Sequence, residues 1–170
     1  ESIWPLRKAD EAGQESVNVI GYEGVALGLA DRWIISRLNR TALELNKALD
    51  KYEFHTAVSL LYHFFWDDFC DWYIELKKDE INAGDAEATT RILTILEIAL
   101  RMLHPFMPYL TEELWLKLPG TSSGLNNPVY SRADASVMLT KFPPGDASAI
   151  DEAAESEMNA IIDVIKKVRN

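Results

Sequence analysis

Apolar side chains recur at steps of three and four along most of this chain, and that spacing admits little besides packed helices. Ile34, Leu38, Ala42, Leu45, Leu49 and Tyr52 form one such stripe, with Arg37, Arg40, Glu44, Lys47 and Lys51 on the opposite side. The pattern predicts a first helix over about residues 32–51, N-capped by the short carboxylate of Asp31. A second helix is expected over about 56–78. Ala57, Leu61, Phe64, Phe65, Phe69, Trp72 and Leu76 keep its period, and their bulk suggests the centre of the core. Lys77 and Lys78 would close its last turn, where the helix dipole favours cations. Residues 82–84 break the pattern. Asp85 then caps a third helix with Ile92, Leu96, Ala99, Leu100 and Leu103 inward, ended by Pro105.

Further along, Pro108 and Thr111 open a short fourth helix over about 112–118, with two carboxylates in its first turn and Pro119-Gly120 as its stop. Residues 121–135 read as a polar loop. Val137, Met138 and Leu139 suggest a short strand or extended strap before Pro143-Pro144. A fifth helix is expected from near Ser148, with Ile150, Ala154, Met158, Ile161, Ile165 and Val168 inward and Lys166, Lys167 and Arg169 late. It is still periodic at Asn170, which suggests a truncated helix. Residues 1–30 hold Gly13, Gly21, Gly24 and Gly28 without a sustained period and read as an irregular lead-in. The expected fold is therefore all-α: a bundle of four to five helices over 31–170, with a long polar loop and a short strap before the last helix.

A chain of 170 residues can bury one real core. No apolar run approaches the ~20 residues needed to cross a bilayer, so no membrane partner is expected. Cys70 is the single cysteine, which excludes an internal disulfide and a cysteine-based zinc site and suits the cytoplasm. The formal net charge of −10 opposes nucleic-acid binding only if charge is spread evenly. It is not: residues 31–51 hold Arg32, Arg37, Arg40, Lys47 and Lys51 against Asp31, Glu44 and Asp50. Acids gather instead in 67–80 and 146–157, so a basic face on an acidic protein is permitted.

No glycine-rich phosphate loop or Gly-x-Ser-x-Gly elbow occurs, and nothing assembles an acid, a base and a nucleophile, so no catalytic residue is assigned. His63, Asp67, Asp71 and Glu75 lie at steps of four and could be metal ligands or a solvated helix face. A di-iron bundle needs Glu-x-x-His pairs, which are missing, so the solvated face is preferred and no metal is assigned, while Asp68 is expected as a partner for a basic side chain across the bundle.

Three segments carry a resemblance. They are Asp31-Arg32-Trp33-Ile34-Ile35-Ser36-Arg37-Leu38, then Phe65-Trp66-Asp67-Asp68-Phe69-Cys70-Asp71-Trp72-Tyr73-Ile74-Glu75, then His104-Pro105-Phe106-Met107-Pro108-Tyr109-Leu110-Thr111-Glu112-Glu113-Leu114-Trp115. In this order the chain resembles the helical anticodon-binding domain of class I aminoacyl-tRNA synthetases for branched aliphatic amino acids. The valyl-tRNA synthetase family is nearest, and the isoleucyl and leucyl families share the bundle. Ser136-Val137-Met138-Leu139 before Phe142-Pro143 fits the valyl pattern as well. The likeness covers about residues 29–170, and nothing is carried onto 1–28.

The resemblance implies a tRNA anticodon-arm binding domain without catalytic residues. The parent would be a valine–tRNA ligase whose partners here are valine tRNA and its own catalytic domain. ATP and magnesium would serve that catalytic domain, whose His-x-Gly-His and Lys-Met-Ser-Lys-Ser signatures do not occur in this chain. Reading an anticodon loop takes cations for phosphate, planar side chains for stacking and donors for base edges. Arg32, Trp33, Arg37 and Arg40 are the candidates, and by resemblance Arg32 and Trp33 lie where the family places anticodon-proximal residues. Each has a plainer reading. Packing ranks ahead of stacking for Trp33, an ion pair is level with RNA contact for Arg32, and Arg37 and Arg40 can simply be solvated. Trp66, Trp72 and Trp115 are expected to pack, Cys70 to fill the core, and His104 to sit near the negative end of its helix. The rival of another class is an acidic helical protein-interaction module.

Overall fold

A computed structural model describes residues 27–118 and 136–169 of this chain, and among them helices and turns occur but no strand. Helix α1 spans Leu29–Asp50. Helix α2, Phe54–Tyr62, runs without a break through a π-helical stretch, His63–Tyr73, into α3, Ile74–Asn82. Then come α4 (Ala86–Leu103), α5 (Pro108–Lys117) and α6 (Glu152–Arg169). Single 3₁₀ turns at Val137–Leu139 and Ala147–Ala149 lead into α6.

Helix α1 is the axis. It packs on α2, the π stretch, α4 and α6. Trp33, Ile34, Leu38 and Leu45 meet Phe64, Phe69, Tyr73, Ile95, Ile98, Met102, Ala154 and Met158 in one core. A smaller core joins Leu100, Trp115 and Val137, fastening α5 and the first 3₁₀ turn to α4. No helix among the described residues is long and apolar enough to cross a membrane.

The Asp85 carboxylate caps α4, accepting the Glu87 and Ala88 N–H groups at 2.8 and 3.1 Å. Helix α4 ends at Leu103, two residues before Pro105, as the proline rule requires.

Several expectations are corrected. Helix α1 starts at Leu29 behind Gly28, so Asp31 lies inside its first turn and is buried rather than capping it. Helix α5 starts at Pro108, where a missing N–H costs nothing, which moves Glu112 and Glu113 beyond its first turn. Val137–Leu139 is a 3₁₀ turn and not a strand, its Ser136 hydroxyl accepting the Met138 N–H at 3.2 Å. Helix α6 buries Ala154, Met158 and Ile162, which leaves Ile161 and Val168 exposed. The lead-in up to residue 26, the Pro119-Gly120 stop and the polar loop 121–135 lie outside the described residues.

The largest correction concerns the second rod. Its buried positions run Ala57, Leu61, Phe64, Phe69, Tyr73 and Lys77, with one step of five. The Ile74 N–H reaches the Phe69 carbonyl, five residues back, which is the widened turn of a π-helix. Past that step the inward stripe moves by one position. Tyr73 and Lys77 face the core, Trp72 is half-buried, and Leu76 is exposed. Lys77 therefore ends as a buried partner of Asp31, and because the rod runs on to Asn82 it does not close a last turn.

Candidate nucleic-acid interface

Arg32, Ser36, Arg37 and Arg40 succeed one another at helical spacing along α1, so their side chains share one flank. That flank meets the start of α6 and the π stretch. Arg32 donates to Asp151 Oδ2 through Nε at 2.8 Å and Nη2 at 2.6 Å. Arg37 donates through Nε to Asp68 Oδ2 at 2.8 Å. Arg40 donates through Nε to Glu155 Oε1 at 3.1 Å, and the Ser36 hydroxyl donates to the same oxygen. Glu155 Oε2 lies 3.9 Å from Arg37 Nη1. Three of the four candidates are thus cations on one flank, each held by a carboxylate of a neighbouring element.

The carboxylates respond to their settings. Asp151 caps α6 through the Ala154 N–H, and this bond together with Arg32 holds its pKa below the ordinary value. Burial pushes Asp68 upward, and the Arg37 guanidinium offsets that only in part.

Below this flank a groove of about 430 Å³ runs between α1 and α2, lined by Arg37, Arg40, Glu44, His55, Ser59 and His63 among others. A second hollow of about 250 Å³ continues it past Lys47, Lys51 and Glu53 and shares Glu44, Thr56 and Leu60 with the first. The polar face of α1 that the sequence marks as basic therefore becomes one wall of a groove. Lys47 and Lys51 are exposed and have no ion-pair partner among the described residues.

Trp33 does not join this surface. It is 1% exposed and packs in the main core, its indole N–H without a hydrogen-bond partner among the described residues. The packing reading holds for it. The rings that line the groove are those of His55 and His63, and an exposed aromatic pair outside the lining adjoins His63. Tyr62 and Trp66 stack at 5.9 Å with 3° between their planes, each about half exposed. The His63 ring, which lines the groove, meets Tyr62 edge-on at 5.8 Å. Trp66, expected to pack, is thus a surface residue, whereas Trp115 is buried as expected. The missed signal lay in Phe54, Val58, Tyr62 and Trp66, an apolar row at steps of four on the side of the rod opposite its core stripe.

His63 bonds Asp67 at 2.7 Å, but among the described residues no three histidine, cysteine or acidic side chains converge as a metal site would require.

A helical bundle that sets arginines and lysines along a groove of its central helix has the form of an RNA-reading module. Residues 31–170 match the family model for the anticodon-binding domain of tRNA ligase, and the chain belongs to that family. Among curated relatives it is similar to the valine–tRNA ligase of Thermotoga maritima, 41% identical over 85% of this chain and 15% of that protein. The valine–tRNA ligase of Syntrophotalea carbinolica is 44% identical over 89% of this chain and 16% of its own length. That of Fervidobacterium nodosum is 38% identical over 99% of this chain and 18% of its own length. The chain spans less than a fifth of each of these relatives.

Proposed function

We propose that this chain holds the anticodon arm of a valine tRNA in the cytoplasm, while a catalytic domain elsewhere in the same protein joins valine to the acceptor end. The ATP and magnesium chemistry of that ligation is assigned to the catalytic domain and no catalytic residue to this chain. The names of the relatives support the choice of valine. The observation that carries the reading is the α1–α2 groove, where Arg37, Arg40, Lys47 and Lys51 line one wall on a protein of net charge −10.

Anticodon bases can leave their stack, so they can be read by aromatic faces and edge donors without a helical groove. Arg37 and Arg40 would meet phosphates or base edges, and the Tyr62–Trp66 pair, which adjoins the groove through His63, would supply a stacking ledge beside it. Arg32, about half exposed beside Asp151, would border the same surface. Trp33 would serve from beneath by fixing α1 in the core.

Titrating the chain with a hairpin carrying the valine anticodon loop tests the reading. Binding should be weak and salt-sensitive, and Arg37→Glu with Arg40→Glu should remove it while the circular dichroism of the bundle persists. Equal binding by that folded double variant would refute the groove as the interface.

A further inference from the structure

Asp68 and Glu155 raise a question of sign. They stand against Arg37 and Arg40, two acids against two bases, so the patch carries little net charge to attract an RNA. Both acids are mostly buried, at 17% and 12% side-chain exposure, while the arginines keep about 30%. The acids come from different elements, the π stretch and the first turn of α6, and converge on successive turns of α1.

The geometry of the contacts suggests their use. A carboxylate binds a guanidinium most strongly by taking two parallel N–H groups at once. Neither acid does so here. Asp68 takes Arg37 by Nε, and Glu155 takes Arg40 by Nε, with its other oxygen a loose 3.9 Å from Arg37 Nη1. The terminal nitrogens of Arg40 make no hydrogen bond to a carboxylate among the described residues. Both arginines line the groove. They are three residues apart on one helix, close enough for a single phosphate to span.

We propose that Asp68 and Glu155 are positioning residues, which hold Arg37 and Arg40 by their Nε atoms so that the terminal nitrogens of both present one phosphodiester site for an unpaired RNA strand. The proposal rests on the tRNA-binding reading above. Arginine side chains are long and lose much rotamer freedom on binding. Two that are already ordered lose less, so the acids favour binding by preorganisation despite their charge. The Ser36 hydroxyl and the Asp151 cap tie Glu155 and its helix to α1, which keeps the carboxylate in place.

Electrostatics alone and preorganisation predict opposite outcomes. Removing an acid beside an RNA site should tighten binding if the acid is merely a counter-charge. If it positions the arginines, Glu155→Gln should weaken binding of the anticodon hairpin by about tenfold, an effect of the size that coupled neighbours show in mutant cycles. Arg40→Lys supplies the second arm. It keeps the charge and loses the fork, so it should weaken binding in the parent chain and change little in the Glu155→Gln background. Asp68→Asn with Arg37→Lys should behave alike. Additive effects of the paired changes, or tighter binding by Glu155→Gln, would overturn the proposal. Should Glu155→Gln tighten binding while the double arginine reversal still removes it, the positioning role alone falls. Should the reversal leave binding unchanged, the groove reading and this inference fall together.

Discussion

Asp31 is 2% exposed, and a carboxylate that deep is tolerated only with partners. Tyr73 Oη donates to it at 2.8 Å, Lys77 Nζ at 2.9 Å, and the Arg91 guanidinium lies 3.5 Å away. Lys77 also reaches Glu80 at 3.0 Å. Burial works to lower the Lys77 pKa, but its hydrogen bonds to Asp31 and Glu80 outweigh that and hold it above the ordinary value of 10.5. A lysine raised on folding stabilises fully below its unfolded pKa, and the contribution is lost as pH rises through the folded value. Lys77→Met should therefore destabilise the bundle at neutral pH by about 3 kcal/mol in urea unfolding, because it strips a buried carboxylate of the nearer of its two cations and of a hydrogen bond. Adding Asp31→Asn should recover part of that loss. Full additivity of the two changes would show that the pair is not coupled. Above pH 10.5 the parent chain should lose stability faster than Lys77→Met does.

At the scale of elements, helices with one unambiguous stripe were legible in the sequence. Helix α4 and its Asp85 cap are examples, because the capping motif and the period agree. The π stretch was not legible. Nearly every residue from Phe64 to Tyr73 is apolar, aromatic or acidic, so steps of four and five fit equally well. The choice between Trp72 and Tyr73 is made by tertiary contact with Asp31, 42 residues away. The register of α6 was ambiguous for a similar reason, since Ile161 and Ile162 are both apolar. At the candidate site the cations of α1 were legible, and so was Asp68 as a partner for some base across the bundle, but the acids lie 31 to 119 residues away and no local pattern pairs each with its arginine. The link into α6 adds its own test. Gly145 sits at φ +75°, and a Cβ there would lie 2.9 Å from the Asn39 carbonyl and the Leu43 nitrogen, both backbone atoms of α1. Gly145→Ala should cost about 2 kcal/mol in the same assay, from left-handed strain plus displacement of that link. A neutral result would mean the link does not press on α1. The Asp85 cap has a pH signature. The Ala88 N–H is the largest cause lowering its pKa, so its contribution is present above the ordinary value of 3.8 and lost as pH falls through the folded value. Asp85→Ala should lower the melting temperature at pH 7, and the gap from the parent should close in acid.

Across the whole molecule, a charge of −10 and a groove lined by arginines and lysines make opposite demands on an RNA ligand, and salt decides which is felt. At physiological ionic strength the Debye length is about 8 Å, so an RNA in the groove senses the arginines and lysines there with their paired acids, and little of the acids elsewhere. At 0.01 M it is about 30 Å, comparable to the bundle itself, and the repulsion of the whole body reaches the ligand. A basic protein binding through three or four cations to a single strand should show a straight plot of log affinity against log salt, with slope about −2 to −3. For this chain the same slope is expected between 0.05 and 0.2 M, roughly the range where only the groove is felt, with flattening or reversal toward 0.01 M. Lys47→Ala, at an exposed groove lysine, should lower the steep part by about 0.7 and leave the low-salt bend in place. Neutralising acids of α6 that do not line the groove, such as Glu157 and Asp163, should straighten the bend without changing the steep part. A straight line down to the lowest salt would mean that the anionic body does not oppose the RNA. A flat line throughout would mean that the groove does not bind phosphate.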